Sequence, residues 1–169
     1  MGAVRDERAW VRAAQQGSAS GIEALFRAHW PRAYRAAYLV VHDSGAAEDI
    51  AQEAFLAALR ALHRFDRRRP FGPWLHRIVV NRAIDWARAH KLRGETELHD
   101  VHAAPEAAAA PDGTLLAALA ALPPEHRAVI VLRHLLGYTP GEIAELLELP
   151  RGTVNSRLRR GLDSLQEKV

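Results

Sequence analysis

The chain has 169 residues, enough for one ordinary domain or two small ones, with 23 Lys+Arg against 20 Asp+Glu and a formal charge of +3. It contains no cysteine, which excludes a disulfide scaffold, a thiolate metal site and a cysteine nucleophile. No apolar run approaches the roughly 20 residues needed to cross a bilayer, and residues 1–6 lack the apolar segment of a secretory signal. The expectation is a soluble, cytoplasmic protein with no membrane insertion.

The charge is segregated along the chain. Residues 60–93 hold ten Arg or Lys and two Asp, residues 94–125 hold six acids and no base, and residues 151–160 add four Arg. Two basic segments separated by an acidic one point to two contacts with a polyanion, although solvated helix faces give the same pattern.

Almost every segment reads as helix, because Ala, Leu, Arg and Glu dominate and nothing alternates at period two. The fold class is therefore all-α. A first helix covers residues 6–16 and stops at Gly17. Ser20, with Glu23 three residues on, forms a capping box for a second helix. Its apolar stripe is Ile22, Leu25, Phe26, Trp30, Tyr34, Ala37, Tyr38 and Val41, and Pro31 should bend it. Asp43 or Ser44 caps a third helix that runs to about Phe65. Ala47, Ile50, Ala54, Ala57, Ala58, Ala61 and Phe65 share one side of it. Asp49, Gln52, Glu53, Leu56 and Arg60 share another, a solvated face or a seat for a basic helical partner.

The loop over residues 66–72 carries three consecutive arginines, Arg67, Arg68 and Arg69. Pro73 then suits the first position of a fourth helix, which runs to about His90. Phe65, Phe71, Trp74 and Trp86 are interleaved with these bases, a mixture that suits unpaired nucleic acid. Core filling accounts for most of the rings, which leaves the basic loop with Arg77, Asn81 and Arg82 as the better nucleic-acid candidates. Residues 93–113 change character: 103–111 lack large apolar side chains, and the segment reads as a flexible acidic linker.

Helices resume over residues 115–122, 124–136, 140–147 and 151–166. Thr139-Pro140-Gly141-Glu142 is a capping box with Pro at the first helical position. Ile143, Ala144 and Leu147 give the short helix an apolar face. Val154, Leu158, Leu162 and Leu165 do the same for the last one. Two short amphipathic helices joined by a tight turn suggest a helix-turn-helix whose second helix enters a major groove. Thr153, Asn155, Ser156, Arg159 and Arg160 lie away from the apolar stripe, and Arg and Asn suit phosphate, guanine and adenine. The N–H groups of Gly152 and Thr153 offer a phosphate site. An ordinary basic surface helix in a bundle remains the alternative. The architecture is two small helical domains, residues 1–92 and 114–169, joined by the linker.

Catalysis has no support in the chain. His99 and His102 form the nearest approach to a metal pair, but they sit in the linker with no helix to fix them. No nucleophile–base constellation is visible, so the expectation is a protein that is not an enzyme, with no metal and no cofactor.

The string Ala47-Glu48-Asp49-Ile50-Ala51-Gln52-Glu53-Ala54-Phe55, followed by Phe71-Gly72-Pro73-Trp74-Leu75-His76-Arg77-Ile78-Val79-Val80-Asn81 and Asp85, resembles region 2 of bacterial extracytoplasmic-function RNA polymerase sigma factors. Leu122-Pro123-Pro124-Glu125-His126-Arg127, Gly137-Tyr138-Thr139, Glu142-Ile143-Ala144 and Gly152-Thr153-Val154-Asn155-Ser156-Arg157-Leu158 resemble region 4 of the same family. The resemblance implies that Asp49, Gln52, Glu53 and Leu56 bind the β′ clamp helices of core RNA polymerase. It implies that Arg67, Arg68, Arg69, Arg77, Asn81 and Arg82 bind and help melt the −10 element. Arg151, Thr153, Asn155, Ser156, Arg157, Arg159 and Arg160 would read the −35 element, with their domain on the β flap and the linker threading the polymerase cleft. An anti-sigma factor is a further implied partner.

The sequence departs from the family pattern at three glycine-related positions. Glu148 stands where the turn commonly has Gly, which costs about 1 kcal/mol if that residue needs positive φ. Gly161 replaces a usual Ala and loosens the last helix by about 1 kcal/mol, and Gly45 lies at the start of the clamp-binding helix. The competing reading is a stand-alone helix-turn-helix regulator acting on duplex promoter DNA.

Overall fold

The computed structural model describes residues 2–92 and 113–168. The proposed linker, apart from Gly113, and the pair His99 and His102 lie outside the described residues. Those described are helical, with no strand among them: α1 (Gly2–Gln15), α2 (Ala19–Val41), α3 (Ser44–Ala61), α4 (Phe71–Leu92), α5 (Gly113–Ala120), α6 (Pro124–Ile130), α7 (Pro140–Leu147) and α8 (Arg151–Gln166). A 3₁₀ turn, Leu62–Arg64, extends α3, and a π-helical turn, Val131–Leu135, extends α6.

The helix α2 is the central post. It packs on α1, α3 and α4, and its far half also meets α5, α6 and the π turn. That position explains why its burial exceeds one stripe: Ala33, Ala36, Ala37, Tyr38, Leu39, Val40 and Val41 are all buried. Phe26, which was expected in the stripe, is instead 40% exposed. The helix continues unbroken through Pro31.

Its start differs from expectation. Gly17 has φ +81°, the chain turns there, and Ser18 is the extended residue whose Oγ accepts from the Gly21 N–H. Ser20 is already inside the helix, and its hydroxyl bonds Ser18. Ser18 is the cap because Gly21 must lie at the crossing with α1. A Cβ on Gly21 would sit 2.8–2.9 Å from Ala14 N, Ala13 Cβ and Trp10 O.

Asp43 caps α3, its Oδ1 accepting from Ala46 N–H at 2.8 Å. The buried side of α3 is Ala47, Ile50, Ala51, Ala54, Phe55 and Ala58, with Ala57 and Ala61 only half-buried. The helix α4 begins at Phe71, so Pro73 is its third residue and not its first. The first four N–H groups of a helix lack intrahelical partners, so a proline there removes no bond.

The helix α7 has both halves of the predicted capping box, with Thr139 N–H donating to Glu142 Oε2 at 2.7 Å. Its buried residues are Ile143 and Leu146, while Ala144 and Leu147 are half-buried. In α8 the buried row is Val154, Leu158, Gly161 and Leu165, and Leu162 lies on its 36% exposed shoulder. Gly161 is thus a packing residue: a Cβ there would meet Ile130 Cδ1 at 2.6 Å.

One contiguous core joins the two halves of the chain. The helix α4 packs on α6 and α7, and α2 packs on α5, α6 and the π turn.

Candidate functional site

Three polar surfaces are built on this frame. On α3, Asp49, Gln52, Glu53, Leu56 and Arg60 are all exposed while the opposite side is core. The helical period gathers them into one strip. Leu56 is 44% exposed, an apolar side chain standing among carboxylates. Gln52 Nε2 donates to Glu48 Oε1 at 3.3 Å, so Glu48 belongs to the same strip.

The second surface is the basic loop and α4. Arg67, Arg68 and Arg69 are exposed. Arg68 is held within the loop, its guanidinium donating to both Asp66 oxygens at 2.9–3.1 Å. That bond, with the Arg68 N–H, brings the Asp66 carboxyl down to about 2. Both ends of the loop are fastened by α1, which sequence reasoning missed. Gln15 Nε2 donates to the carbonyls of Leu62 and Phe65 at 2.9 and 3.1 Å, and Glu7 Oε2 accepts from Phe71 N–H at 3.3 Å. The other Glu7 oxygen bonds His29 Nε2 at 2.7 Å, and that bond first of all holds the Glu7 carboxyl below its usual value. No short-range signal links Glu7 to Phe71 or Gln15 to Leu62, because these partners are about fifty to sixty residues apart in sequence.

The aromatic residues divide as core chemistry requires. Phe65 and Phe71 are buried, and Trp74 is half-buried with its ring 4.6 Å from that of Phe65. Trp86 stacks on His90 at 3.9 Å. Asn81 and Arg82 are exposed on α4. Arg77 is half-buried, and its guanidinium is paired with Glu148 of the turn before α8. A cleft of about 800 Å³ lies beside that pair, between Arg64, Arg69, Trp74 and Arg77 on one wall and Tyr138 and Glu142 on the other.

The third surface is the outer face of α8. Arg151, Asn155, Arg159 and Arg160 are exposed, with Thr153 and Ser156 half-buried beside them. Arg157 departs from the group. It lies on the flank toward α6: burial first and then Arg157 lower the pKa of His126, while at Glu125 burial pushes up, Arg88 pulls down and Arg157 adds a smaller pull. The N–H of Thr153 donates to Pro150 O at 3.0 Å, which removes it from the expected phosphate site and leaves Gly152. Glu148 ends α7 in the left-handed region, φ 55° and ψ 45°. Leu149 N–H then returns to Ala144 O at 2.9 Å, the closing bond of a Schellman motif. This turn sets α8 against α7 in the helix-turn-helix manner.

Residues 25–93 match the family model of sigma-70 region 2, and residues 112–165 match that of sigma-70, region 4. The chain is 30% identical to the extracytoplasmic-function RNA polymerase sigma factor SigW of Bacillus subtilis, covering 94% of each chain. It is 35% identical to sigma factor SigE of Mycolicibacterium smegmatis across 85% of this chain and 59% of that protein, so it spans less than two thirds of that relative. The solved structure of CnrH in complex with the cytosolic domain of CnrY superposes with a TM-score of 0.71 at 28% identity, covering 95% of each chain. The two surfaces and the helix-turn-helix described above lie within the matched regions, and the chain belongs to the extracytoplasmic-function RNA polymerase sigma factors of the sigma-70 family.

Proposed function

We propose that this sigma factor directs core RNA polymerase to promoters through three separate surfaces. Asp49, Gln52, Glu53 and Leu56 on α3 dock the β′ clamp helices. The loop of Arg67, Arg68 and Arg69, with Arg77, Asn81 and Arg82, takes the −10 element. The outer face of α8 reads the −35 element, with the domain of residues 114–169 resting on the β flap. The observation that carries this reading is the exposed acidic strip of α3 opposite a fully apolar side, a shape suited to a basic helical partner.

Each DNA surface has a physical role. Exposed Arg side chains neutralise phosphate, and Arg or Asn on α8 can bond base edges bidentately. Melting unstacks bases at a cost of a few kcal/mol, part of which is offset when an extruded base finds a protein site. Binding and positioning suffice for this work, so the chain is a transcription initiation factor and not a catalyst, acting in the cytoplasm where its polymerase works. CnrH was solved with the cytosolic domain of CnrY. That likeness supports a protein partner for this chain as well, in line with the anti-sigma factor that the family resemblance implies.

The assignment is tested by Asp49→Ala combined with Glu53→Ala, both exposed and outside the core. Affinity for core polymerase is expected to fall at least tenfold with the melting temperature unchanged, and unaltered affinity would remove the clamp assignment. Arg159→Ala is expected to alter −35 preference by about 1–3 kcal/mol per base contact. An unchanged preference would remove base reading from that residue.

A further inference from the structure

Three buried side-chain nitrogens among the described residues have no hydrogen-bond partner: His42 Nε2, His76 Nε2 and Arg127 Nε. All three lie where α2 and α4 meet the second half of the chain. His76, on α4 and 5% exposed, bonds the Tyr138 hydroxyl through Nδ1 at 2.7 Å. His42 closes α2 with φ 54° and faces Arg127 of α6, which is 8% exposed. The rim of the same contact carries two ion pairs, Arg77 with Glu148 and Arg88 with Glu125. A permanent interface satisfies its buried polar groups, because each orphan loses its hydration without compensation. Here all the orphans are gathered at one seam.

We propose that this seam is an acid-released latch: neutral His42 and His76 hold the two halves of the chain together, and their protonation parts them and frees Arg77 from Glu148. The latch itself is independent of the DNA-contact reading above; only its consequence for transcription rests on that reading.

The charges around each imidazole give the latch its sign. His76 faces His29 and Arg32 of α2, both of which oppose a second cation, and Glu7 of α1, which favours one. Glu7 is already engaged by His29 and by Phe71 N–H. An imidazolium at His76 would carry two donors, one of them still without an acceptor, and would force Tyr138 to accept where it can now donate. An imidazolium at His42 would face the Arg127 guanidinium.

Burial acts first on both groups, and together with these neighbours lowers each to about 4 from 6.5. A histidine released into water regains the higher value. The closed form is therefore fully favoured above pH 6.5, and its advantage drains away as pH falls from 6.5 toward 4. At pH 5.5 each imidazole shifts the closed-to-open ratio about tenfold toward open. In that range Glu125, held below its usual value, remains a charged partner for Arg88.

The test is small-angle X-ray scattering of the full chain at pH 7.5 and 5.5, with far-UV circular dichroism on the same samples. The expected result is a larger radius of gyration at pH 5.5 with helicity unchanged, and no expansion in a chain carrying His42→Gln and His76→Gln. Equal dimensions at the two pH values would overturn the latch, as would an expansion that persists in the double variant. If that variant is unfolded at pH 7.5, the imidazole proton resonances of the unaltered chain decide. Two of them titrating in step with the expansion support the latch, and none doing so overturns it. Because the chain has no cysteine, Arg77→Cys with Glu148→Cys can be bridged by a short bis-maleimide. The bridged protein is expected to stay compact at pH 5.5. A second bridged chain, Arg88→Cys with Glu125→Cys, is linked across the same seam and outside the DNA-contact residues. It is expected to stay compact and to lose promoter-directed transcription. Compactness with transcription intact would contradict the DNA-contact reading and leave the latch standing.

Discussion

Gly21 is the residue on which the first two helices depend. Its missing side chain lets α2 lie against the backbone of α1, where any Cβ would fall within 3 Å of Trp10 O and Ala14 N. Gly21→Ala gains up to about 1 kcal/mol of helix propensity. Overpacking against backbone costs about 1–3 kcal/mol, so the clash wins. The melting temperature is expected to fall by about 2–6 °C, as read by thermal denaturation followed at 222 nm. A rise would show that α1 can retreat from α2. Glycines divide sharply in what the sequence reveals. Glu148 was legible as a non-glycine in a glycine's place only through the family resemblance, and its φ is indeed 55°. The role of Gly161 was not legible. Helix propensity describes an isolated helix, whereas this position is decided by Ile130, thirty-one residues away.

Helix ends were readable where the whole signal lies within four residues. Thr139 and Glu142 close their box as expected, and Asp43 caps α3. The same logic placed the second helix start at Ser20, where an identical Ser-x-x-Glu spacing exists, yet Ser18 does the capping. The difference comes from Gly17 and the α1 crossing, which decide where the chain can turn. Ser18→Ala should therefore cost about 1 kcal/mol and Ser20→Ala markedly less, measured by urea denaturation. Equal losses would return the cap to Ser20. The π turn after α6 was invisible for a related reason. Leu136 N–H bonds Val131 O and Gly137 takes φ +77°, which delivers Tyr138 to His76, a partner sixty-two residues away.

The whole molecule shows how far composition reaches. An all-helical fold with a basic outer face on α8 and an acidic face on α3 follows from periodicity and charge, and the family resemblance rests on strings of adjacent residues. The contact between the two halves does not. Beside the shared apolar core it includes His42, His76, Arg77 and Arg127, of which His76 and Arg127 are buried and His42 and Arg77 partly so, by pieces of chain far away in sequence. The same blindness hid Glu7 and Gln15, which hold the basic loop from α1. The proposed function requires that the acidic strip, the basic loop and the outer α8 face all reach one polymerase and one promoter.

Run-off transcription tests that claim most directly: core polymerase with and without this protein, on fragmented DNA of its source genome, with the 5′ ends mapped. The account predicts new starts whose upstream DNA shares two motifs about one and a half to two helical turns apart, each turn being about 10 base pairs. No new starts together with no binding to core polymerase would contradict it, and would leave a helix-turn-helix protein acting on duplex DNA alone.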